Sequence, residues 1–283
     1  MPVRVAFQLI DAYARYSRRV RTRQYKDYLR YHRALLRYTP LAGQEEDVAE
    51  RAIAEYWQCS ELFWRPWLMH RGEIDGFEYF RSARAAERGV VAVFPHFGIP
   101  YAQFPIMRRH GIDAWVSAAP HHYDGTMQGY DGMYSRHGRS YVDLLGPGRG
   151  IPRFGGSRTF SHLAELLRDD AATVSVTFDS VGSMPTPFMG RKPGLVSGPS
   201  RLARETDAMV VPFVIRRRGA LPILTFAPPL DPRDFEDPTA LQEAIAAIME
   251  RWALELPEAV WALEQQPGGP PLIKGPKLDA APA

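Results

Sequence analysis

Polar and apolar positions change period several times along this chain. Val90-Val91-Ala92-Val93-Phe94 is an unbroken apolar run, the pattern of a strand buried on both faces. It ends in Pro95, His96, Phe97 and Gly98, and Pro100 stands where a helix can begin. Thr173 to Phe178 alternates β-branched residues and predicts a strand that closes at Asp179. Ala114–Ser117 and Tyr141–Leu145 predict short strands, and Met209–Ile215 a buried one. Leu221–Phe226 reads as the antiparallel neighbour of that strand, reached through a turn at Gly219. Residues 3–38 predict one or two helices, with Phe7, Ile10, Tyr13, Tyr28, Leu29, Leu35 and Leu36 apolar, stopped by Pro40. Gln44-Glu45-Glu46-Asp47 opens another helix with acids where its dipole favours them, and Val48, Ile53, Trp57, Leu62 and Trp64 carry it to Pro66. A helical segment from Ile99 to His110 contains Pro105, which predicts a kink or a shortened helix. Arg158 opens a helix with Phe160, Leu163, Leu166 and Leu167 on one face. Thr239 to Gln242 reads as a capping box for a last helix striped by Leu241, Ile245, Ile248 and Trp252.

Strands alternating with helices predict an α/β fold: a mixed, mostly parallel sheet flanked by helices, with a helical N-terminal extension. The expected division is an extension over 1–70, a core over 71–265 and a loose tail over 266–283, rich in Pro, Gly and Ala.

Composition narrows the class. In 283 residues, 45% hydrophobic and 24% charged is the balance of an ordinary globular protein. No run of about 18 apolar residues is present, and the opening segment predicts no signal peptide. Cys59 is the single cysteine, so no intrachain disulfide or cysteine-based metal site is expected. Charge is uneven: residues 1–40 hold ten Lys/Arg against two Asp/Glu, while the remainder is net acidic. Tyr13, Tyr16, Tyr25, Tyr28, Tyr31 and Tyr38 are interleaved with those cations. Arginine with tyrosine suits a membrane interface. It also suits nucleic acid, and a plain solvated helix face is the third reading. The expectation carried forward is a membrane surface met through residues 1–40, with no nucleic-acid partner.

Chemistry concentrates at few places. His96 is the titratable group in a strand-to-helix turn, where open α/β sheets place ligands; a turn-capping histidine is the bland alternative. His121-His122-Tyr123-Asp124 has metal-ligating residue types, but adjacent histidines point different ways, and no metal is expected. Gly146-Pro147-Gly148-Arg149-Gly150 and Gly155-Gly156 match neither the Walker nor the dinucleotide pattern. Trp57, Phe63, Trp64 and Trp67 read as packing residues or as the wall of an acyl groove.

From the central strand onward, over residues 85–263, the order of motifs resembles the lysophospholipid acyltransferase superfamily, nearest the bacterial lipid A late acyltransferases and the phosphatidylinositol mannoside acyltransferases. Phe94-Pro95-His96-Phe97-Gly98 stands where that branch has a histidine followed, after four residues, by an acid. Asp179 corresponds to an acidic residue closing a strand. Pro187-Phe188-Met189-Gly190 is similar to the FFG element, and Gly198-Pro199-Ser200-Arg201-Leu202-Ala203 to a GPA-x-LA helix start. Thr206 to Pro212 resembles a TGA-x-(V/L)-x-P strand followed by an arginine, here Arg216. Met249-Glu250-Arg251 through Leu256-Pro257-Glu258 to Trp261 resembles the terminal signature.

The resemblance implies acyl transfer from acyl-CoA or acyl carrier protein to a hydroxyl or amine of a lipid, glycolipid or lipopeptide-like acceptor. His96 is then the base, and neither a metal nor another cofactor is required. It also implies a location in the cytoplasm, peripheral on the inner face of the cell membrane. The chain departs from the pattern at Tyr101, where the acid should stand. Three readings follow: another carboxylate serves, Asp179 first and Glu165 second; the acceptor is an amine that needs less base strength; or the protein only binds a lipid or acyl carrier. Arg136 or Arg139 is placed by the resemblance to stabilise an oxyanion. Arg158, Gly190, Gly198 and Arg216 are further substrate-binding candidates, with Tyr101 and Glu165 beside them.

Overall fold

The computed structural model describes residues 1–118, 150–152, 156–169 and 171–260. The 3–38 segment folds as two helices, α1 (Val3–Val20) and α2 (Arg23–Leu36). The break is local: Arg21 turns left-handed at φ 53°, and the Thr22 hydroxyl caps α2 by accepting from the Tyr25 N–H. Then follow α3 (Glu45–Phe63), α4 (Pro66–Met69), β1 (Glu73–Asp75), α5 (Phe77–Arg84) and β2 (Val90–Phe94). Beyond the His96 turn come a 3₁₀ turn at Pro100–Ala102, α6 (Gln103–Arg109), β3 (Ala114–Ala118) and β4 (Gly150–Pro152). Of the two outcomes expected of Pro105, the α-helix is the shorter one, Gln103–Arg109, and it is not kinked, because Pro105 lies in its first turn, where no intrahelical N–H bond is lost.

The remainder is α7 (Gly156–Asp169), β5 (Thr173–Thr177), a small hairpin of β6 (Val181–Pro185) with β7 (Gly194–Leu195), α8 (Gly198–Thr206), β8 (Met209–Arg218), β9 (Leu221–Phe226) and α9 (Pro238–Glu255). The expected Thr239 capping box is not what starts α9. Asp237 is the cap: its carboxylate accepts from the N–H groups of Thr239 and Ala240, and Pro238 is the first helical residue.

The main sheet is mixed and mostly parallel, in the order β1-β9-β8-β2-β5-β3-β4. β2 is central, parallel to β8 on one side and β5 on the other, and all five of its residues are buried. Only β9 and the β1 paired with it run the other way. One face packs Val91, Val93, Val174 and Val214 against α7, α8, α9 and α2. The other packs Val90, Ala92, Phe94 and Phe213 against Leu62, Met69, Phe80 and Ile106. Residues of α2 join the first cluster and residues of α3 the second, so the N-terminal helices complete the same two cores that stabilise the sheet.

The tyrosines of residues 1–40 divide. Tyr25 and Tyr31 are buried, whereas Tyr13 and Tyr16 face solvent. The tryptophans correct the packing reading: Trp57, Trp64 and Trp67 are all exposed, so they do not fill the core. The Phe63 side chain, the predicted strand Tyr141–Leu145, the His121–Asp124 cluster and the 266–283 tail lie outside the described residues.

Candidate active site

The site begins with a register. β2 and β5 are adjacent and parallel, with Phe94 opposite Thr177. Two residues past each partner stand His96 and Asp179, at the carboxyl ends of neighbouring strands where α/β sheets bind ligands. The Phe178 N–H donates to the Phe94 carbonyl at 2.8 Å, which extends the ladder to the site.

Asp179 holds His96 twice. Its Oδ1 lies 2.7 Å from His96 Nδ1, and its Oδ2 accepts from the His96 backbone N–H at 2.9 Å. The carboxylate side chain is 2% exposed and the imidazole 31%. Because the partner of Nδ1 is a carboxylate, Nδ1 carries the proton, and the lone pair of the neutral ring lies on Nε2. Nε2 makes no hydrogen bond to any described residue. Burial lowers the imidazole's basicity, but the charge of Asp179 and its hydrogen bond outweigh that, and the net result is a pKa raised above the ordinary histidine value.

The turn between them is fixed by close packing. Gly98 has φ +60°, and a methyl group there would come within 2.6 Å of the Ile215 carbonyl oxygen, so neither the conformation nor the space admits a side chain. Its N–H donates to the Ala259 carbonyl at 3.0 Å. Phe97 is buried in the first cluster, while Phe94 packs edge-on to the His96 ring at 6.0 Å between centroids.

None of the other expected residues in the described part is hydrogen-bonded to His96 or Asp179. Tyr101 lies half-buried in the 3₁₀ turn against the second cluster. Glu165 is not brought to the ring: it is exposed on α7 and pairs with His162 at 3.6 Å. Arg158 is exposed in the first turn of that helix. Arg216, near the carboxyl end of β8, donates to Glu255 at 3.0 Å. At Gly198, which starts α8, an added methyl would meet nothing within 4 Å. Arg136 and Arg139 lie outside the described residues.

Gly190 has a firmer reason to be glycine. Its φ is +71°, and a methyl would approach the Tyr38 carbonyl oxygen to 2.5 Å. The preceding Met189 N–H donates to Glu250 Oε1 at 3.0 Å. Glu250 was legible only as part of the terminal signature, with no role attached.

A sequence model of the bacterial lipid A biosynthesis acyltransferases matches residues 47–266. Among solved structures, the 1-acyl-sn-glycerophosphate (LPA) acyltransferase PlsC from Thermotoga maritima is similar over 92% of this chain and 100% of that one, with 16% identity and a TM-score of 0.44. No curated protein matches.

Proposed function

The chain belongs to the family of bacterial lipid A biosynthesis acyltransferases, and from that premise we propose that His96 and Asp179 form the base pair of a thioester-to-lipid acyl transfer. The observation that carries this reading is the double hydrogen bond between them. It supplies from β5 the carboxylate that Tyr101 does not supply from the turn. The acyl donor is acyl-CoA or acyl carrier protein, and the acceptor a hydroxyl or amine on a lipid-like molecule.

The steps follow from the geometry. Neutral His96 takes the acceptor's proton at Nε2 as the acceptor's oxygen or nitrogen attacks the thioester carbonyl. Asp179 holds the ring in the required tautomer and stabilises the imidazolium that forms. The tetrahedral oxyanion collapses, the carbon–sulfur bond breaks, and the departing thiolate takes the proton back from His96. The test is transfer of labelled long-chain acyl groups from each donor to a bacterial lipid extract, beside His96→Ala. Transfer abolished by the substitution supports the reading. Transfer that survives it removes His96 as base, and tight acyl-chain binding with no transfer from either donor leaves a binding protein.

The membrane reading gains a specific surface. No helix among the described residues is long and apolar enough to cross a bilayer. α1 nevertheless carries two apolar faces. Ala6 and Ala14 are buried, while Val5, Leu9, Tyr13, Tyr16 and Val20 recur at helical spacing and stay exposed. Tyr13 meets Trp57 edge-on at 6.5 Å, and Trp64 and Trp67 are exposed as well. Exposed Arg4, Arg15 and Arg19 flank the stripe. Aromatics beside cations on an amphipathic helix suit an anionic bilayer surface, in keeping with a peripheral protein on the inner face of the cell membrane. Removing residues 1–40 would strip Tyr31, Leu35 and Leu36 from the core, so point substitutions in the stripe are the sound test.

A further inference from the structure

We propose that Glu250 is the built-in anion of a two-residue backbone nest, and that by filling it Glu250 positions Asp179 for the reaction. The inference rests on the reading of His96 and Asp179 given above. Met189 and Gly190 are successive left-handed residues, with φ +52° and +71°. They form the centre of a turn in which the Phe188 N–H donates to the Arg191 carbonyl at 2.9 Å and the Arg191 N–H returns to the Phe188 carbonyl at 3.1 Å. Consecutive N–H groups in such a turn converge on one point and favour an anion there. Here the chain supplies its own: the Glu250 carboxylate on α9 accepts from the Met189 N–H at 3.0 Å, with the neighbouring Gly190 N–H also lowering its pKa.

The Glu250 carboxyl is held above its ordinary pKa. Burial raises its pKa, the two backbone N–H donors lower it, and burial prevails. A carboxyl raised above its unfolded value costs stability once pH exceeds that raised value, so the ionised form is held at a net cost.

What the turn supports is the site. Phe188 is fully buried and packs on Phe178 at 5.6 Å between ring centroids. Phe178 is the residue before Asp179, and its N–H is fixed to the Phe94 carbonyl. The opposite side of the turn is closed by Tyr38, whose ring lies under the Arg191 guanidinium at 4.7 Å. Glu250 therefore reaches Asp179 through one turn and two packed rings tilted at 52° to each other. Without its anion the nest opens, Phe188 gains freedom, and the Asp179 contact with His96 loosens.

The test reads the His96 ring rather than turnover, so it stands apart from whether His96 is the base. The pKa of ¹⁵N-labelled His96 is followed by NMR in the full chain, in Glu250→Ala and in Glu250→Gln, with and without added formate. The proposal expects a lower His96 pKa in Glu250→Ala, partial return with formate, and a Glu250→Gln melting temperature at neutral pH equal to or above that of the parent. In transfer assays kcat should fall about tenfold in Glu250→Ala, with the donor KM unchanged. A His96 pKa unmoved in a folded Glu250→Ala protein overturns it. So does a shift that formate leaves untouched while Glu250→Gln melts lower, since that pattern belongs to a purely structural residue.

Discussion

At the His96 turn a carboxylate only 2% exposed has been withdrawn from water. Along α1, Leu9 and Tyr16, each 58% exposed, have been left in it. Both placements run against the ordinary partition of charged and apolar groups, in opposite senses. The turn offsets its departure internally, because Asp179 finds two donors on a single residue. Along the α1 stripe, Tyr13 meets Trp57 edge-on and donates to Gln24 Oε1 at 3.1 Å, while Leu9 and Tyr16 keep their apolar surface in solvent. One region is complete by itself; on the proposed membrane reading the other is completed by the surface it docks on.

Breaking the self-contained region should have the largest effect. His96→Ala should lower acyl transfer by roughly 10²–10⁴-fold, the contribution of a positioned base, with the protein still folded by circular dichroism. Asp179→Asn should come next, with a loss of roughly 10²-fold in kcat. Its amide cannot satisfy both His96 donors with a charge, while the shape is kept. Breaking the outward region should act on location rather than chemistry. Leu9→Glu with Tyr16→Glu should reduce flotation with anionic liposomes by about tenfold or more, since each apolar side chain that enters the interface contributes roughly 1.5–3 kcal/mol when fully buried. Turnover of a water-soluble acceptor should remain. The smallest effect should be that of salt, because the cations only flank the stripe. Raising ionic strength to 1 M screens contacts of about 1 kcal/mol each and should weaken flotation a few-fold without abolishing it. Complete release by salt would make the arginines, not the stripe, the anchor.

The same two regions show what a sequence can carry. Val90–Phe94 announces itself because a strand buried on both faces needs no polar position, and Asp179 announces itself as the acid that ends a strand. Their meeting across 83 residues does not. It depends on β5 inserting between β2 and β3, a pairing chosen by the whole sheet and not written in either segment. Glu250 is hidden for a related reason: its partners are backbone N–H groups that converge only after Met189 and Gly190 have turned left-handed. In α1 the charge excess drew attention first, yet the apolar spacing defines the exposed face. Arg18, one of those cations, is engaged by Asp47 and Glu50 of α3. A helix with two apolar faces does not reveal by periodicity which one the core takes.

The pH dependence of acyl transfer, measured in the parent protein and in Asp179→Asn, tests the His96–Asp179 pair most directly. The base works only as neutral imidazole, and Asp179 raises its pKa. The rate should therefore climb with pH through a midpoint above the ordinary histidine value of about 6.5. The stability drawn from the charged pair is fully present below that value and fades over the same rise. In Asp179→Asn the midpoint should drop toward or below 6.5. Coincident midpoints in the two proteins, or a rate indifferent to pH across this range, would contradict the account.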